Sequence, residues 1–275
     1  MKRLIKFYLL LLFAVTSQHS FAADESGSSG WEYTGIPFMW AINVQGDSKI
    51  GNAPTADIDI SFSEVIDNLN FGLMGRIDAT NGKWNIYGSG LGAIISADKE
   101  SQAVGIDVDI DTVIVEGGVQ YRIGEWPIDI TNVNGTSTRS ISFDVLAGVR
   151  WSYQDIDIDG TIDIPGRPPL IPATTVPIDV SASENWFDPF IGAEVHVGLS
   201  ENWDMVIHED FGGFGVGSDF TSNTVFGLTR KWKEDRKIFI GYRALYQDYE
   251  TGSGTDTFVW DAWMHGPMIG AYIPF

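Results

Sequence analysis

The feature that most constrains this chain is an alternation of apolar and polar residues with period two, sustained over unusually long segments. It is clearest from Thr138 to Tyr153. Ile141, Phe143, Val145, Ala147, Val149, Trp151 and Tyr153 share one face, while Ser140, Ser142, Asp144, Gly148, Arg150 and Ser152 share the other. Successive side chains of a strand point to opposite faces, so the segment has one apolar wall and one wet wall. A strand that crosses a bilayer needs about 9–11 residues with the apolar side outward, and this one is long enough.

The same pattern predicts strands at 31–42, 69–80, 83–96, 106–122, 138–154, 186–200, 203–214, 220–232, 237–249 and 257–275. About ten strands, an even number, would close an all-β, transmembrane, antiparallel up-and-down barrel; eight or twelve would satisfy the same rule. Asn81-Gly82, Ser200-Glu201-Asn202 and Lys233-Glu234-Asp235 read as tight turns, whereas 43–68, 97–105, 155–185 and 250–256 read as long outer loops. Two connections break this alternation: 123–137 is long for an inner turn and 215–219 short for an outer loop. Within the first outer loop, Ser61-Phe62-Ser63-Glu64 has capping-box spacing, and Phe62, Val65, Ile66 and Leu69 recur at helical spacing. That predicts a short amphipathic helix, set against the alternative that these residues continue the strand entering at 69.

Lys2, Arg3 and Lys6 precede an apolar run from Leu9 to Val15, and Ser20-Phe21-Ala22 supplies small residues at a cleavage position. This is the plan of a secretory signal peptide over 1–22, leaving 23–275 as one barrel domain; the apolar run is too short to span a bilayer. The chain has no cysteine, so disulfides, thiolate metal sites and lipid attachment to cysteine are excluded. Without the leader it carries 14 Lys and Arg against 37 Asp and Glu, a balance that repels nucleic acid. Its 13% aromatic and 44% hydrophobic content argue against disorder.

The ten tryptophans test the layout. Trp31, Trp84, Trp126, Trp203 and Trp232 fall at inner strand ends, and Trp40, Trp151, Trp186, Trp260 and Trp263 toward outer ends. Indole favours the membrane–water boundary, so two girdles are expected. The last strand alternates Ile269, Ala271, Ile273 and Phe275. A terminal phenylalanine with this alternation resembles the sorting signal read by the barrel-assembly machinery. The segments Ile36-Pro37-Phe38-Met39-Trp40-Ala41, Ser61 to Leu69 and His265-Gly266-Pro267 are similar to those of small outer-membrane β-barrel proteins of proteobacteria. The resemblance implies the bacterial outer membrane, with its lipid and lipopolysaccharide as surroundings; it implies no activity, because a fold does not carry a function with it.

With apolar positions outward, the lumen receives Arg76, Asp78, Glu116, Asp144, Arg150, Glu194, His196, His208, Asp210 and Arg243. A tight turn at 200–202 is expected to set His196 opposite His208 and Glu194 opposite Asp210. Such a patch could bind a divalent cation or move protons, but narrow barrels commonly fill their lumens with charged groups that neutralise one another. The charged-network reading is preferred, with no cofactor, no catalytic residue and no dedicated metal site assigned. The ten-strand count is shared with omptin proteases, which place an Asp–His pair and a carboxylate pair at the extracellular mouth; here His208 and Asp210 sit on one strand within the expected membrane span, and no second pair matches. The Ser–His pair of lipid A deacylases would need His265 with a serine, and none is placed.

Asp107, Asp109 and Asp111 alternate with isoleucine and valine, as do Asp155, Asp157, Asp159 and Asp163 with isoleucine. The second run opens like a calcium loop but has Gly166 where a bidentate glutamate belongs. The isoleucines say extended strand, with aspartates in water and loose bridging of divalent cations to lipopolysaccharide phosphates. Arg167 to Pro177 holds four prolines and reads as an outer excursion. Function is therefore expected to be non-enzymatic, in a structural, small-solute or surface-interaction role. An outer-membrane hydrolase, a narrow solute pore and a soluble periplasmic β protein stand as alternatives.

Overall fold

A computed structural model describes residues 30–100, 104–132, 135–164, 174–233 and 235–275. The signal peptide expected at 1–22 lies outside the described residues, as does 167–173 of the proline-bearing segment. The elements run β1 (Glu32–Trp40), β2 (Asn43–Ile50), β3 (Ala56–Ile60), α1 (Phe62–Asp67), β4 (Leu69–Thr80), β5 (Trp84–Glu100), β6 (Val104–Asn132) and β7 (Gly135–Ile164). They continue as β8 (Thr174–Gly198), β9 (Trp203–Gly213), β10 (Phe220–Lys233), β11 (Arg236–Thr251) and β12 (Phe258–Pro274).

All pairings are antiparallel, and β1 with β4 to β12 forms a ring closed by β1 against β12. This is the ten-strand barrel that the alternation predicts. The first outer loop supplies two further strands. The β2–β3 hairpin pairs on the upper part of β12, from Phe258↔Ile50 to His265↔Asn43, while β1 occupies the lower part. Gly266 marks the handover, because a Cβ there would overlap the Ala41 carbonyl oxygen, and the Ala41 N–H donates to the Pro267 carbonyl at 2.8 Å.

The helix forms where the capping spacing puts it, in place of a continued strand. The Ser61 N–H donates to Glu64 Oε2 at 2.8 Å and the Glu64 N–H donates to Ser61 Oγ at 3.4 Å, the reciprocal pair of a capping box. The long segments read as loops are largely strand. β6 and β7 stay paired from Val104↔Ile162 to Asn132↔Gly135, so 123–137 is a protruding hairpin rather than a slack connection. The short connection after β9 turns on Gly213 at φ 84° and Phe214 at φ 53°. A stretch of strand through Asp155, Asp157 and Asp159 cannot wrap an ion as a calcium loop does.

Outside, the wall is apolar: Leu73, Ile77, Ile86, Val115, Val149, Ile191, Phe226, Ile240 and Ile269 are all exposed. Inside, the order along β11 shows how the lumen is filled. Arg243 reaches an ion-paired plane; Leu245 joins an apolar cluster with Phe38, Trp40, Ile42, Leu91, Ile114 and Met264. Tyr249 joins a second cluster with Ile156, Trp186, Phe258, Trp260 and Ala262. An apolar exterior around a polar interior inverts a soluble protein and suits hydrocarbon surroundings. Short turns mark one end at 81–83 and 199–202, where the β6–β7 hairpin also protrudes, and the extensions of β5 to β8 rise from the other end, the one expected to be extracellular.

Candidate functional site

The luminal residues arise from strand parity, and the structure joins most of them into one network. Arg150 is wholly buried; its Nε donates to Glu116 Oε1 at 2.8 Å, its Nη2 to Asp210 Oδ1 at 2.9 Å and its Nη1 to Thr221 Oγ1 at 3.2 Å. Arg243 donates from Nη2 to the same Glu116 oxygen at 2.7 Å and from Nε to Asn223 Oδ1 at 2.8 Å. Asn223 Nδ2 in turn donates to Asp210 Oδ2 at 2.7 Å, closing the ring of partners. Each guanidinium also lies over an aromatic ring, Arg150 over Phe190 at 5.1 Å and Arg243 over Trp40 at 4.8 Å.

The histidines meet the network in a register other than the expected one. The 200–202 turn is closed by the Leu199 N–H donating to the Trp203 carbonyl at 2.8 Å. That closing pair sets Glu194 opposite His208 and His196 opposite Val206, two residues away from the anticipated pairing. Glu194 therefore bridges the two rings, 2.7 Å from His196 Nε2 and 2.9 Å from His208 Nδ1, and His208 Nε2 lies 3.0 Å from Asp210 Oδ2. Arg76 stands apart, bidentate to Asp78 at 2.9 and 2.7 Å and 4.1 Å over the Tyr87 ring.

Asp144 pairs with Arg122 at 2.9 Å, a partner the sequence reading left out although Arg122, just before the Arg122/Gly124 bulge, shares the inward parity of Glu116 and Gln120 on β6. Asn223 and Thr221 were missed too; their signal was inward parity on β10 shared with Val225. Below the ion-paired plane lies a cavity of about 290 Å³, lined among others by Thr34, Arg76, Asn85, Gln120, Asp144, Glu194 and Tyr272. It faces the inner end, where the side chains of Arg122 and His196 are 34% and 37% exposed. Oxygen or nitrogen atoms of Asp144, Glu194 and His196 converge within 4.8 Å, a donor set that fits a divalent cation in type. Each of those donors already has a protein partner.

Three of the expected girdle residues turn inward. Trp40, Trp186 and Trp260 are 2%, 3% and 5% exposed, because they share parity with Phe38, Asp188 and Phe258 on the luminal face. Trp186 instead stacks on Tyr249 at 4.1 Å and donates to Asp188 Oδ2 at 3.1 Å. Trp31, Trp84, Trp126, Trp203, Trp232 and Trp263 lie exposed on the outer wall, and Trp151 is half-buried there beside Phe187. The acidic runs keep their predicted faces, with consequences for charge. Asp107 stands opposite Asp159, Asp109 opposite Asp157 and Asp111 opposite Asp155, while Asp159 also stands opposite Asp179.

No family model matches the chain, and no curated protein matches it. Among solved structures, the outer-membrane protease OmpT of Escherichia coli superposes with a TM-score of 0.51 at 8% identity, covering 91% of this chain and 99% of that one. The attachment invasion locus protein Ail of Yersinia pestis gives 0.32 at 14% identity, covering 90% and 99%. The toluene transporter TbuX of Ralstonia pickettii gives 0.29 at 9% identity, covering 90% of each chain. The likeness to OmpT is one of fold, and the two weaker ones add nothing to it. With its closed ring, apolar exterior and charged interior, the chain has the fold of an outer-membrane β-barrel.

Proposed function

We propose that this barrel conducts no solute and works through its extracellular face, as a non-enzymatic surface-interaction protein. One observation carries the reading: the lumen is filled from the Arg150–Glu116–Arg243 plane up through two apolar clusters. Leu245, Gln247 and Ala262 on that path have no exposure at all, and Phe258 has 1%. A hydrated path cannot run through such a stack. Above the membrane, the paired extensions of β6 and β7 turn Ile110, Ile156 and Ile158 inward and Asp107, Asp109, Asp157 and Asp159 outward, which makes an acidic blade. Loosely bound divalent cations would relieve its opposed charges and bridge it to lipopolysaccharide phosphates. Phe275, 78% exposed at the end of β12, is proposed as the assembly signal, and the seven outward tryptophans as girdle anchors.

Against the hydrolase alternative weighs the setting of the His208–Asp210 pair. Both residues are buried, both are bonded into the arginine network, and the cavity beside them opens to the inner end. Planar-bilayer recording of refolded protein tests the proposal. Silent bilayers are expected, and a stable unitary conductance would refute the closed lumen.

A further inference from the structure

The outer wall carries a polar site inside its apolar belt. The cross-strand register defines three successive rows on the lipid-facing side of β9 to β12. The upper row is Phe211–Ser222–Tyr246–Trp263, the middle row Glu209–Thr224–Ala244–His265 and the lower row Ile207–Phe226–Tyr242–Pro267. The upper row belongs to a line of aromatic contacts, with Phe211 6.1 Å from Phe220, Phe220 6.2 Å from Tyr246 and Tyr246 5.0 Å from Trp263. Such a line marks the headgroup boundary of the outer leaflet. A glutamate and a histidine one row beneath it lie at the depth where acyl chains join a lipid headgroup. Ionisable side chains facing lipid are costly and rare, so their presence calls for a partner.

The hydrogen bonding specifies what that partner must offer. Glu209 accepts from Ser222 Oγ at 3.0 Å and from the Thr224 hydroxyl. Two hydroxyls leave part of the carboxylate's acceptor capacity unused. Across Ala244, the Gln45 amide is oriented by Nε2 donating to Asp59 Oδ1 at 3.1 Å, so its oxygen accepts from His265 Nε2 at 3.2 Å. His265 Nδ1 is then the acceptor for the Tyr242 hydroxyl at 2.6 Å, which leaves the phenol oxygen free to accept in turn. Between the two groups stands Ala244, whose methyl reaches less far than the Thr224 and His265 side chains beside it, with acceptors on either side. Ester-linked phosphoglycerides offer only further acceptors at this depth. Amide-linked, hydroxylated acyl chains offer N–H and O–H donors.

We propose that the gap over Ala244 is a binding site for one outer-leaflet glycolipid, which donates to Glu209 and Tyr242 through its amide and hydroxyl acyl linkages. The proposal rests on the placement in the membrane and not on the closed lumen. The test refolds wild type, Glu209→Gln and Ala244→Phe into phosphatidylethanolamine vesicles with and without lipid A, whose acyl chains are amide-linked and hydroxylated. Lipid retained after detergent extraction is counted by native mass spectrometry, and folding is checked by mobility on unheated gels. Wild type is expected to retain lipid A over phosphatidylethanolamine, and each variant roughly tenfold less, the loss that one charge-assisted hydrogen bond or a filled gap brings. Ala244→Phe leaves every polar group in place, so its result stands on its own. Equal retention by wild type and folded Ala244→Phe, or equal retention of both lipids, would overturn the proposal.

Discussion

Glu116 and Arg150 face each other in register across β6 and β7, 2.8 Å from Oε1 to Nε, both buried in the middle of the barrel. Removing one partner of such a pair leaves uncompensated charge with no water to receive it. Arg150→Ala leaves Glu116 with Arg243 alone and Asp210 with Asn223 and His208, and is expected to cost about 3–5 kcal/mol. The loss should show as a lower urea midpoint of folding in lipid vesicles. Replacement without a measurable shift would mean that water reaches this plane, against the closed lumen.

The stacked pair Trp186 and Tyr249, 4.1 Å apart at 7° between planes, caps the outer core. Trp186→Ala should cost roughly 3–5 kcal/mol by cavity formation. Protease protection of the extracellular extensions, measured on intact vesicles, is expected to fall with it.

Opposed aspartates make a prediction about pH. Burial first, and then Asp159, Asp109, Asp155 and Asp179, raise the Asp157 pKa above the usual carboxylate value. Burial first, and then Asp155 and Asp109, do the same for Asp111. A carboxyl raised in the folded state binds its proton more tightly there than in the unfolded chain. Its penalty is fully present above the folded pKa and is relieved as pH falls through it. Asp111→Asn and Asp157→Asn should therefore raise the unfolding temperature at neutral pH by roughly 1–3 °C each. That advantage should vanish toward acid, which paired melting curves across pH would reveal.

Calcium provides a separate check on the blade. Millimolar calcium is expected to raise the unfolding temperature of wild type and to leave Asp155, Asp157 and Asp159→Asn unmoved. The same response in both proteins would end the cation reading.

Ser61→Ala removes the side-chain half of the α1 cap, at a local cost of about 0.5–2 kcal/mol. Hydrogen exchange should accelerate across 62–67 while the midpoint of global unfolding stays put, since no residue of the helix is buried.

Much of the architecture was legible because a strand's period is two and the membrane imposes a minimum length. Parity alone put Arg150, Asp210 and Arg243 in the lumen and set the isoleucines of the acidic runs on the face opposite their aspartates. Which residues touch was harder, since contacts depend on register. A two-residue difference in the β8–β9 hairpin decides whether His208 meets Glu194 or His196. Trp40, Trp186 and Trp260 show the other limit. Their positions near strand ends suit a girdle, but parity, which overrides composition, turns them inward. The polar row with Glu209 and His265 needed four strands in register at once, something no single segment of sequence displays.

The β2–β3 hairpin also sets an order of events. It is synthesised near the start of the chain, yet its sheet neighbour is the upper half of β12, with Asn43 beside His265, 222 residues away. Among the described residues, nothing else pairs along that stretch of β12 outside β11. The hairpin must therefore wait while the intervening strands are threaded, and it docks only when the final strand arrives. The ring can be sealed low down, at Thr34 and Pro274, while its upper lip still gapes. Folding of this protein then has two closures on one strand, the ring at Thr34 and Pro274 and the lip at Asn43 and His265.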